Sequence, residues 1–122
     1  MKTLLRIAAA GEFATGLLLL AYPPLVISLL FAAEISGAGI SISRIAGIAL
    51  MALAVACWPN GNTDRAFAGM VTYGVLATVY MIVVGATGMH GPLLWPAVLA
   101  HAALSVLLIR ARSSQHKPKA TA

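Results

Sequence analysis

Four long apolar runs separated by short polar breaks set the pattern of this chain. They cover residues 4–21, 40–58, 66–86 and 93–109. Runs of 17 to 21 residues measure roughly 26–32 Å as helix, which matches the ~30 Å hydrocarbon layer of a bilayer. The breaks are written in turn residues. Tyr22, Pro23 and Pro24 close the first run, residues 59–65 (PNGNTDR) the second, and residues 87–92 (TGMHGP) the third. Proline stops or kinks a helix, and clustered Asn, Gly and Asp favour turns. Between the first two runs lies LVISLLFAA, residues 25–33. Its nine residues are too short to span, so they predict a short interfacial helix. The predicted fold is all-α: an integral-membrane four-helix bundle over 1–110, with a flexible basic tail over 111–122.

Composition sharpens this reading. Of 122 residues, 61% are hydrophobic and 9% charged, with a mean hydropathy of +0.95. A soluble domain carries roughly a quarter charged residues, so lipid is the expected main contact of this surface. The net charge of +5 suggests nucleic acid only for a soluble chain, and no nucleic-acid partner is expected here. Lys2, Arg6, Arg65, Arg110, Arg112, Lys117 and Lys119 fall on one side of the four-span layout, with Arg44 alone toward the other. Under the positive-inside rule this predicts that both termini are cytoplasmic. Arg6 and Glu12 interrupt the apolar core that a signal peptide needs, so the first segment reads as a retained span.

The polar residues inside the runs are the candidate chemistry. Glu12 has Ala8, Ala9, Thr15 and Gly16 at helical spacing, while Phe13, Leu17 and Leu20 lie opposite. That arrangement turns Glu12 toward the bundle along a stripe permitting close helix approach. Comparable stripes run through Ser43, Gly47, Ala54 and Cys57, through Gly69, Tyr73, Ala77 and Tyr80, and through Ala97, His101 and Ser105. Counting helical rise from the span ends places Glu12 and Tyr73 about 10–12 Å from the inner side, and His101 and Tyr80 about as far from the outer side. Two layers are thus expected, Glu12 with Tyr73 and His101 with Tyr80. Arg44, four residues from the outer end of its span, is expected to snorkel outward rather than pair with Glu12. An ionised carboxylate at mid-membrane costs at least ~3 kcal/mol, so Glu12 is expected neutral or paired. It serves either as a structural hydrogen-bonding group or as a carrier of a proton or cation.

Other chemistries lack their residues. The single Cys57 provides no thiol pair. His90 and His101 stand about 16 Å apart along a helix and do not share one haem iron. No metal-ligand spacing, glycine-rich phosphate loop or nucleophile triad is readable. Neither a catalytic residue nor a cofactor is assigned.

The acid in GEFATG, the proline after that span, SRIAGIAL opening the second run, ACWP closing it, and GPLLWPAVLAHAAL in the fourth resemble small bacterial four-helix membrane proteins of the broad DoxX-like type. The resemblance covers most of residues 4–110 and implies a four-helix inner-membrane protein. Relatives of that type linked to quinol or thiol oxidation imply a quinone-linked redox subunit as one alternative. A first-span glutamate is also similar to that of small multidrug transporters, which gives a proton-coupled transporter using Glu12 as another. The leading expectation is a non-enzymatic accessory subunit or interaction module. Its partners would be the bilayer and a membrane protein or a second copy of the chain.

Overall fold

A computed structural model describes residues 1–115, which fold into five α-helices without a strand. They are α1 (Lys2–Ala21), α2 (Pro23–Phe31), α3 (Ala38–Ala56), α4 (Thr63–Ala86) and α5 (Leu94–Gln115). Helices α1, α3, α4 and α5 are long and apolar enough to cross a membrane.

Local chemistry explains where the helices start and stop. Pro23 and Pro24 do not merely end α1; they occupy the first turn of α2. There a missing N–H costs nothing and the fixed φ suits the helix. The break falls on Tyr22, whose φ of −142° is not helical. Gly37, at φ +52° and ψ −124°, opens α3 in a backbone region essentially reserved for glycine. Helix α4 begins at Thr63, three residues before the expected 66, because the Asn62 side chain caps it. The Asn62 Oδ1 accepts from the N–H groups of Asp64 (3.1 Å) and Arg65 (3.0 Å). Asp64 also places a negative charge in the first turn, where the helix dipole favours it.

Helix α5 likewise runs on. Residues 111–115, read from sequence as tail, are helical; the remainder of the expected tail, 116–122, lies outside the described residues. Arg112 explains the extension. Its guanidinium reaches the Asp64 carboxylate of α4 at 3.1 Å and lies 4.6 Å over the Phe67 ring.

The long helices associate as two antiparallel pairs, α1 with α3 and α4 with α5, joined along a thinner junction. Glycine sets the approach in each pair. A Cβ on Gly16 would meet the Gly47 carbonyl oxygen at 2.6 Å, and one on Gly47 would meet that of Gly16 at 2.6 Å. In the second pair, Gly74 lies against Ser105, and Gly85 against Leu94 and the Trp95 indole. Near the end carrying the N-terminus, Leu5, Ala8, Ala9, Ala54, Cys57, Ala66, Met70 and Leu108 form a solid core. Toward the opposite end the apolar core is smaller, with Met81, Leu94 and Val98 buried and Phe31 packed against them.

Helix α2 closes that second end, touching α1, α3 and α5. Its last carbonyls would be orphaned by the helix terminus. Instead, the N–H groups of Gly91 and Leu93, just ahead of α5, donate to Leu30 O (2.8 Å) and Leu29 O (2.9 Å). Only glycine fits at 91, since a Cβ there would run into the Leu29 carbonyl.

Candidate functional site

Glu12 sits midway along α1, between buried Ala8 and Gly16, and is only 7% exposed. The small residues on either side give the carboxyl room to reach both helices of the other pair. Its Oε1 lies 3.5 Å from Nδ1 of His101 on α5. That exceeds the usual N–H···O hydrogen-bond range, so the contact is a close electrostatic one. The Tyr73 phenol of α4 also interacts with the Glu12 carboxyl. Tyr73 and His101 meet edge-on, with ring centroids 5.7 Å apart and planes at 76°. Buried Ser105, one turn along α5 from His101, packs onto Gly74. Three polar side chains from α1, α4 and α5 thus converge where the two helix pairs join.

The space around this cluster is asymmetric. On the side of the solid core, the gap bounded by Ala8, Met70, Ser105 and Leu108 holds only about 10 Å³. That is at the lower limit for one water. On the other side lies a cavity of about 450 Å³ to which all five helices contribute. Glu12, Tyr73 and His101 supply polar groups to a wall otherwise made chiefly of Leu19, Leu30, Phe31, Leu50 and Met81.

Each residue proposed from sequence now has a place. The Glu12–Tyr73 association is present, and His101 joins it. Tyr80 does not form a separate layer with His101. It lines the same cavity but is 65% exposed at the rim. The two expected layers are one: rise counted from the run ends set Glu12 and His101 at different depths, and their 3.5 Å contact brings them to the same level beside Tyr73. Arg44 is exposed on α3 and, among the described residues, makes no ion pair. Gly16 and Gly47 form the α1–α3 contact. Ser43 and Ala97 line the cavity, half-buried. Gly69 receives Cys57, whose Sγ would lie 2.8 Å from an added Cβ.

Sequence reasoning passed over Gly74, Gly85 and Gly91. Gly74 and Gly85 are eleven residues apart, about three helical turns, and so share a face. That spacing was a readable signal for the surface meeting α5. Gly91 carried no local signal, because its constraint comes from a carbonyl of α2.

The cluster can exchange hydrogen bonds and hold or pass a proton. Among the described residues, no three His, Cys, Asp or Glu side chains come together as a metal set. Comparison of the chain with protein-family models, curated proteins and solved structures finds no match.

Proposed function

We propose that this chain is a multi-pass inner-membrane protein of the DoxX-like type, with both termini cytoplasmic, that works as a non-enzymatic accessory subunit or interaction module. In this reading α2 lies at the outer membrane surface, and the lipid-facing sides of the four spans carry the partner contacts. One observation carries the proposal: the Glu12 carboxyl is engaged by His101 and Tyr73 across the junction of the two helix pairs. In an apolar medium, interhelical polar contacts of this kind hold helices together where packing alone is thin. The tight packing on the cytoplasmic side of Glu12 supports the same reading, since it leaves about 10 Å³ there.

The cavity that opens onto Glu12 favours a second reading, a small proton-coupled transporter. Reconstitution into liposomes with an imposed pH gradient separates the two. A module gives no proton flux above empty liposomes, and Glu12→Gln behaves as the native chain. It also copurifies in mild detergent with a stoichiometric membrane partner. Gradient-driven flux that Glu12→Gln abolishes would establish the transporter and overturn the module. Topology is checked separately, by labelling single cysteines introduced at Ser36 and Ser113 in a Cys57→Ala background. Ser36 should label only from outside and Ser113 only from the cytoplasm.

A further inference from the structure

We propose that the 450 Å³ cavity is a binding site for a neutral lipophilic molecule with one hydroxyl or carbonyl head, admitted sideways from the outer leaflet between α3 and α4. This goes beyond the accessory role and holds whether or not a protein partner exists.

The cavity's shape gives its direction. Its closed end is the Glu12–His101–Tyr73 cluster, where Glu12 is 7% exposed. Its open end is marked by two residues that line it and yet are largely uncovered, Ile42 on α3 (66%) and Tyr80 on α4 (65%). Helices α3 and α4 touch each other little, which leaves this side open. Ile42 is four residues into α3, and Tyr80 six residues short of the end of α4. With both spans in a bilayer, the mouth therefore lies about 6–9 Å below the outer helix ends. That depth is among acyl chains rather than in water. Helix α2 stands over the cavity with Val26, Ile27, Leu30 and Phe31, which blocks the route from above.

The lining gives the class of ligand. Apart from the cluster, Thr15, Ser43 and the Tyr80 rim, the walls are aliphatic or aromatic, so an apolar body is required. The volume falls within the range of small-molecule sites, which typically combine apolar walls with a few convergent polar groups. Glu12 and His101 already face one another, so a full ligand charge would disturb that arrangement. A neutral hydroxyl or carbonyl instead adds one hydrogen bond to the Tyr73–Glu12 end.

The test uses 4-hexylphenol as probe and hexylbenzene as its headless control, with the full chain in nanodiscs. A 4-hexylphenol derivative with a diazirine in its alkyl chain is photolysed and the adducts are mapped by mass spectrometry. Saturable adducts at Ala46, Ala77 and Ala97, displaced by 4-hexylphenol about tenfold more effectively than by hexylbenzene, are the expected result. Tyr73→Phe should lower the phenol's apparent affinity about tenfold, equivalent to about 1.4 kcal/mol, and leave hexylbenzene unchanged. Ala46→Phe should remove the adducts by filling the cavity. Non-saturable labelling, or adducts spread over outward Ile45 and Val79, would overturn the site. Equal competition by the two probes would overturn the role of the polar end. The adduct map on the native chain stands even if a variant fails to fold.

Discussion

Replacing Gly47 by alanine tests the close backbone contact between α1 and α3. The added Cβ would meet Gly16 O at 2.6 Å, Leu20 N at 2.9 Å and the Leu19 carbonyl carbon at 3.3 Å. All three are backbone atoms, so no side chain can rotate away. Ordinary contact begins near 3.4 Å, which leaves 0.8 Å to be found by moving α1 away from α3. A gap of 0.5–1 Å forfeits about a quarter to a half of each dispersion well, and overpacking of this kind typically costs ~1–3 kcal/mol. Alanine's better helix propensity offsets up to ~1 kcal/mol of that. The expected net loss is about 1–2 kcal/mol. Gly16→Ala faces the same carbonyl contact from the other side and Met51 N at 3.0 Å, so it should cost a similar amount. Because one separation relieves both clashes, the double variant should lose less than the sum of the singles. Gly11→Ala is the control, since a Cβ there meets nothing within 4 Å. The assay is unfolding free energy in mixed micelles, titrated with sodium dodecyl sulfate and followed by circular dichroism. A Gly47→Ala protein as stable as the native chain, or a Gly11→Ala protein equally weakened, would refute the backbone-contact argument.

Substitutions at three further positions probe other parts of the fold. Glu12→Leu leaves His101 and Tyr73 without their shared partner and should cost about 1–2 kcal/mol, while Glu12→Gln should cost less; the same micelle titration compares them. Gly91→Ala should detach α2 from the loop ahead of α5, seen as faster amide exchange at residues 91 and 93 with little change in α3. Asp64→Asn removes an exposed ion pair and should cost less than about 1 kcal/mol, a difference that shrinks as salt is raised.

The four apolar helices were legible in the sequence because lipid-length runs and turn-rich breaks are local, additive signals. The inward turn of Glu12 was legible too, from the small residues at helical spacing around it. Helix ends were less so. Asn62 added a turn to α4 through its side-chain cap, and Arg112 found Asp64 on another helix and carried α5 past the expected stop. Those gains depend on single contacts that an apolar average does not register.

The sequence alone determined the apolar spans and the inward face of Glu12, since run length and helical periodicity are local properties. Only the tertiary structure decided their partners. Azimuth and pairing depend on which helices touch: α1 on α3 through Gly16 and Gly47, and α4 on α5 through Gly74 and Gly85. That pairing turns His101 to Glu12 and leaves Tyr80 at a rim. It also packs the end near the N-terminus while leaving a cavity of about 450 Å³ toward the other. A cavity is a property of how surfaces fail to meet, and no single stretch of chain encodes it.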